Sequence, residues 1–493
     1  MRPGAGLSVT ALAACLAAAG ALAADAGTEW PTVQHDFLRS GYTHRAPAPP
    51  YRVRWVWTNG HRVDPQKVKG TRGFSPDLLP DFVGVRFMSL SQPMAAGGAA
   101  YIGSIEGDLY AIDVASGRTK WKAPASGPIL HSVTVGAEAV YAATLRGVDA
   151  FDLAGRKRWT FEDPRRGGFW ACPALASGRV LIGGLSGTFY ALDALDGRPA
   201  WQFKAPAAIY QTPAAHDGSV FFGAEDMHAY CLDVRTGKRK WRSDRLAGVT
   251  FGHTWPVVAA KAGAVMFRTS GFEHGHGSGM DAVAKAPQEY RGAQDALRRH
   301  LQDHPHARSF FVLNLSDGRQ KVFVACGYFG SQADIPPPPI VRGDGAALAW
   351  HYAKDGAFQP KGRFAHYASP VDFGQIDFRT GLFRRLGPIG SLKYPAIVRF
   401  DDFHSNTMGG RYLFGMQAGL HWGCVPLDAR GPTFGATFHN HLNRFRQSGK
   451  RGSVGYLGRN EHGAVAPTIL TDVVLVNPMN GVCILAYESA AEK

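Results

Sequence analysis

The residues of this chain best suited to chemistry are its histidines, and several stand at related places. Of the 19 present, His131 precedes Val133 by two residues, His253 precedes Pro256 by three, His404 precedes Asn406 by two and His462 precedes Pro467 by five. Gln211 holds the matching place before Pro213. If the segments that follow are the innermost strands of a radial array, these side chains converge on one axial mouth. Neutral imidazoles there could ligate zinc, copper or iron, or hydrogen-bond sugars and carboxylates; a polar channel lining accounts for them without any ligand. A second group comprises His274, His276 and, further on, His300 and His304. The last two are four apart on a predicted helix over 293–304 and so share one face, a familiar metal-ligand spacing. Leu301, however, occupies the place a catalytic glutamate would take in the HExxH pattern, and a solvated surface helix explains the pair equally well. No nucleophile elbow, phosphate loop or dinucleotide fingerprint appears in its required context. Gly409-Gly410 leads into Tyr412-Leu-Phe414 with no helix behind it and reads as a turn.

What must position these residues is a repeat. The phrase Ala111-Ile-Asp113-Val-Ala-Ser-Gly117-Arg-Thr-Lys-Trp121 returns, one residue shorter, with Asp152, Gly155 and Trp159. It returns again with Asp193, Gly197 and Trp201, and with Asp233, Gly237 and Trp241, giving a period of about 40 residues. Within the third unit, residues 173–176, 179–183, 188–193 and 199–203 scan as four short strands separated by Ser-Gly and Asp-Gly turns. Four-stranded units at this period are propeller blades. First strands fall in register at Pro93, Val133, Pro173, Pro213 and Pro256. The phrase then decays: Asn314 and Val322 replace Asp and Trp around Gly318, while Asp377 and Gly381 persist. Further units are expected from Asn406 and from Ala466, and the last lacks a fourth strand. Residues 51–57 have that strand's pattern, so the fold class predicted is an all-β, eight-bladed β-propeller closed by an N-terminal strand.

The repeated phrase resembles the tryptophan-docking motif of the PQQ-like (quinoprotein-type) β-propeller repeat family, and Trp30-Pro31, Ser40-Gly41 and Trp55 resemble that family's opening segment. The resemblance spans about residues 30–488 and is strongest over 90–260. It implies a structural role for the motif: the Trp packs between blades and the Gly permits the turn before it. It also implies that quinone-dependent members hold PQQ and calcium on the axis beside a catalytic Asp and a vicinal-cysteine disulfide. This chain has no adjacent cysteines and no CxxCH haem signature. The leading expectation is therefore a noncatalytic binding or scaffolding protein of the cell envelope, with an envelope protein, a glycan or a small molecule as ligand. The alternatives are a PQQ- or metal-dependent oxidoreductase acting on an alcohol or sugar at the axis, and a lipoprotein like the outer-membrane assembly factors.

Composition agrees with a large packed core: 45% of residues are hydrophobic and 11% aromatic, which excludes a disordered chain. The first 24 residues read as a signal peptide, with Arg2, an Ala-rich apolar run over 7–22 and an Ala-rich cleavage site before Asp25. Residues 25–493 are then one propeller domain carrying a helical, His-rich insertion at 271–308, expected to cap one end of the channel. Leu12-Ala13-Ala14-Cys15 offers a rival lipobox that would tether the protein through acylated Cys15. Either way the expected place is the periplasm or the exterior, with no transmembrane segment. A net charge of +15 favours acidic partners; nucleic acid is not expected, since no recognition module is present. The five cysteines beyond Cys15 are scattered and read as small buried strand residues.

Overall fold

A computed structural model describes residues 29–49, 51–58, 61–63, 91–269, 290–326, 337–352, 371–386, 406–417, 421–427, 436–437, 466–477 and 483–489. These residues form eight sheets in an all-β propeller. In chain order the blades run over 94–124, 134–162, 174–204, 214–242, 257–322, 340–385, 407–437 and 468–489. Each is an antiparallel meander in which sequence neighbours pair. Middle strands lie between adjacent blades and bury both faces, so Ala99–Gly103 and Ala139–Ala143 are buried throughout. Fourth strands face solvent on one side, and Lys157–Glu162 accordingly alternates polar residues with Trp159 and Phe161.

The eighth blade supplies three strands of its own, and Tyr51–Thr58 adds the fourth by pairing antiparallel with Cys483–Ser489. His61–Val63 extends that sheet. The ring is thus closed by the N-terminal strand, as its sequence pattern predicts.

Successive blades are clasped by the repeated phrase. The indole nitrogens of Trp55, Trp121, Trp159, Trp201 and Trp241 donate to the carbonyls of Val114, Leu153, Ala194, Val234 and Leu315, each in the following blade. Each ring also lies on the motif glycine of that blade. A Cβ added to Gly117 or Gly197 would come within 2.5 Å of Trp55 or Trp159, and Gly155 and Gly237 meet Trp121 and Trp201 at 2.6 Å. The motif glycine therefore serves two needs, a positive φ and a bare surface for the indole. The Asp oxygens close the same turn by accepting backbone N–H groups, as in Ser116 N–H to Asp113 at 2.8 Å and Thr236 N–H to Asp233 at 2.8 Å. At the junction of the fifth and sixth blades, Val322 replaces Trp and the backbone of Phe323 moves in against Gly381 instead.

The His-rich insertion contains the helix Tyr290–Asp303. Leu297 and Leu301 are buried, and the Gln294 amide pairs with the Phe383 backbone, donating to its carbonyl at 2.9 Å and accepting its N–H. Arg298 donates to the Thr380 carbonyl. The helix is therefore bound along the outer strand of the sixth blade and is not itself a cap over the channel, while residues 271–289 of the insertion lie outside the described residues. Its apolar side found a fourth-strand edge, which offers unpaired backbone groups to a side-chain amide. No helix among the described residues is long and apolar enough to cross a membrane. Cys172, Cys231, Cys326 and Cys424 are buried thiols.

Candidate axial binding site

The centre of the ring is filled by the chain itself. Residues 30–43 travel around the inside of the first strands and bond to them in turn. Trp30 exchanges two backbone bonds with Ala95, and the Val135 N–H donates to the Pro31 carbonyl. The N–H groups of Ala215, Val258, Val341 and Met408 then donate to the carbonyls of Phe37, Leu38, Ser40 and Gly41. Tyr42–Thr43 ends the circuit as a parallel strand beside Thr407–Gly409. Curvature this tight comes from positive φ at Gln34, His35, Arg39 and Gly41. Three of those are non-glycine residues held in a sparsely populated conformation.

Arg39 fixes this segment to the axis. Its side chain is fully buried. Nε and Nη2 donate to the Pro213 carbonyl at 2.9 and 2.8 Å, and Nη1 donates to Thr32 Oγ1 at 2.7 Å and the Val33 carbonyl at 3.0 Å. Burial lowers the guanidinium to about 10, while Cys172 and Asp36 act in the opposite sense, so it stays charged at neutral pH. Hydroxyls link the inner strands around it: Thr134 donates to the Pro173 carbonyl at 2.6 Å and Thr407 to the Pro467 carbonyl at 2.9 Å.

At the end of the ring where first strands begin, the sequence candidates separate. Gln211 is fully buried and uses both ends of its amide on the scaffold, donating to Thr254 Oγ1 at 2.9 Å and accepting the Gly223 N–H at 2.7 Å. His131 is 3% exposed and its Nδ1 accepts the Ser132 N–H at 2.8 Å, which leaves the proton on Nε2. Burial first, then the charges of His253 and Arg39, push His131 down to about 3. The His253 backbone lies near enough to oppose that fall, yet no group completes a hydrogen bond to His131 Nε2. Burial lowers His253 to about 4. Both imidazoles are neutral donors or acceptors at physiological pH.

His253 belongs to an aromatic cluster that the histidine register did not single out. Its ring lies 4.7 Å from Trp170 and 5.3 Å from Tyr210, with the two latter rings 6.3 Å apart. All three are half-buried. The signal was in the sequence: Trp170, Tyr210 and His253 each stand three residues before Pro173, Pro213 and Pro256, whereas Gln211 is one position out of that register. His404 and His462 lie outside the described residues. So do His274 and His276, whereas His300, on the helix, and His304, just past its end, stack with ring centroids 4.4 Å apart. Among the described residues no group of three or more His, Cys, Asp or Glu side chains is placed to hold a metal ion.

Comparison with known proteins agrees with this architecture. A family model described as outer membrane protein assembly factor BamB matches residues 56–167 and 146–283. Over 155 residues the chain is 27% identical to an outer membrane protein assembly factor BamB of Nitrosomonas eutropha, covering 30% of this chain and 37% of that protein. Over 164 residues it is 26% identical to a tetrathionate hydrolase of Acidithiobacillus ferrooxidans, covering 32% of this chain and 30% of that one. The matches thus span well under half the length of these relatives. In fold it is similar to the quinohemoprotein alcohol dehydrogenase of Comamonas testosteroni, with a TM-score of 0.56, 13% identity, and coverage of 99% of this chain and 85% of that one.

Proposed function

We propose that this chain, which belongs to the PQQ-like repeat β-propeller family, is a noncatalytic binding or scaffolding protein of the cell envelope. The observation that carries the reading is the filled axis. Residues 30–43 bond to the inner strands of the first, second, fourth, fifth, sixth and seventh blades, and the buried Arg39 rivets them to Pro213. A planar quinone at that level would have to displace charged, hydrogen-bonded protein, so the residues present do not fit such a group there. What the disc offers instead is its rim and the mouth around Trp170, Tyr210 and His253. Relatives whose names describe outer membrane assembly support a partner-binding role. Export to the periplasm or exterior, by cleavage near Asp25 or with acylation at Cys15, belongs to the same proposal.

The test is to purify the protein from its native host and assay dye-linked oxidation of alcohols and sugars, with and without added PQQ and calcium. Mass spectrometry of the mature N-terminus accompanies it. The expected result is no turnover and a processed, envelope-associated protein. Turnover that depends on an added or copurified quinone would overturn the reading.

A further inference from the structure

Of the groups the scaffold leaves unused, the most concentrated lie at the axial mouth. Buried polar atoms normally find partners, and each exception asks for an explanation. Here the Nε2 of His131 and the indole nitrogens of Trp170 and Trp255 are buried and make no hydrogen bond. His131 and Trp255 are at least nine-tenths buried overall. All of these sit immediately before first strands of their blades, hence at one end of the ring. As hydrogen-bonding groups they are alike. Indole N–H can only donate, and the Ser132 N–H bond to Nδ1 makes His131 Nε2 a donor as well.

Next to these donors stand the half-buried rings of Trp170, Tyr210 and His253, 4.7 to 6.3 Å apart. Aromatic faces carry negative quadrupole density and attract the positive C–H edges of a flat, partly apolar ligand. Arg39 lies close enough for its charge to act on His131, and Asp36 acts in turn on Arg39, raising it against the effect of burial. Uncharged donors beside aromatic faces match a ligand that is rich in acceptor oxygens and presents a C–H surface.

We propose that the mouth formed by His131, Trp170, Tyr210 and His253 binds the ring of a neutral pyranose sugar. The ring stacks on Trp170 and Tyr210, and its oxygens accept from the unused N–H groups of His131 and Trp170. This deepens the binding-protein reading and rests on it. The sugar is the terminal ring of an envelope glycan or a free monosaccharide; the chemistry recognised is the same.

Isothermal titration with glucose, N-acetylglucosamine and its β-1,4-linked dimer and trimer, beside tryptophan emission, tests the proposal, with citrate as an anionic comparison. A saturable quench is expected for at least one neutral sugar, with a dissociation constant on the order of 1 mM or tighter. Trp170→Ala should weaken it by about tenfold or more, and Trp170→Phe, which keeps the face but loses the N–H, by less. His131→Ala should weaken it, and His131→Gln, which restores an N–H at similar reach, should recover most of the loss. Leu195→Ala, at an exposed turn of the third blade, serves as the folded control. Tighter binding of the trimer than of the monosaccharide identifies a glycan end, and equal binding a free sugar. Absence of saturable binding by folded wild-type protein, binding indifferent to Trp170→Ala, or citrate binding more tightly than every sugar would overturn it. Should sugars bind and also be oxidised, the ligand assignment stands and the noncatalytic reading falls; with neither binding nor turnover, the reverse holds.

Discussion

Two glycines of the third blade separate the two requirements placed on the docking motif. Gly178 and Gly197 have φ of +71° and +76°, so alanine at either meets the same backbone strain. Their surroundings differ. A Cβ on Gly178 would meet nothing within 4 Å, whereas one on Gly197 would lie 2.5 Å from Trp159 Cε3 and 2.7 Å from Cδ2. Left-handed conformation costs alanine roughly 1 kcal/mol. Driving a methyl into a packed ring adds about 1–3 kcal/mol, because the indole must retreat from Ala194, whose carbonyl its nitrogen bonds at 3.2 Å. Gly178→Ala should therefore destabilise by about 1 kcal/mol and Gly197→Ala by about 3 kcal/mol. Equilibrium urea unfolding, followed by both tryptophan emission and circular dichroism, measures the two. The difference between the variants isolates the clasp. If both substitutions cost the same within about 0.5 kcal/mol, the glycine is needed only for its backbone angle, and the account of blade-to-blade docking is wrong.

Three further outcomes are expected. Arg39→Leu strips four protein oxygens of their charged donor and should cost about 3 kcal/mol or more in urea unfolding; a loss below about 1 kcal/mol would remove Arg39 as the axial rivet. His131, held near 3 in the folded protein against an ordinary 6.5, refuses a proton that the unfolded chain accepts, so its contribution is present above pH 6.5 and is lost as pH falls towards 3. At pH 5 that loss is about 2 kcal/mol, and His131→Gln should flatten the pH dependence between 7 and 5 by that amount; an unchanged dependence would show that the imidazole titrates normally. Gln294→Ala removes both amide bonds to Phe383 and should cost about 2 kcal/mol while speeding proteolysis within Tyr290–Asp303; equal protease resistance would mean the helix is held by Leu297 and Leu301 alone.

The blades were legible in the sequence because the docking phrase is local. Asp193, Gly197 and Trp201 announce a turn, a positive φ and a packing ring within nine residues, and each has the same meaning in every blade that keeps the phrase. The closing strand was legible for a related reason, since the last unit visibly lacked what residues 51–57 supplied. The filled axis was not. Arg39 acquires its role from the Pro213 carbonyl 174 residues away, and nothing in its neighbours signals that the backbone there bends around a ring. At the mouth, weighing imidazoles alone picked out His131 and His253, which lie near each other, but passed over Trp170 and Tyr210. It also admitted Gln211, whose amide serves Gly223 and Thr254. The helix was foreseen, but its docking on Phe383 depends on which edge lay open beside it.

The same stretch that circles the axis goes on to complete the last blade, where Arg52 meets Glu488 across 436 residues of chain. In a chain made from its N-terminus, the earliest part of the ring must therefore wait for the latest. Contacts so distant in sequence are slow to form, because loop closure must be achieved before they stabilise anything. Until the final strand arrives, the first blades hold an open edge and a hollow centre, with Trp55 lacking a fixed seat on Gly117. A protein built this way spends its vulnerable period late in synthesis, and its N-terminal residues act as the latch that ends it.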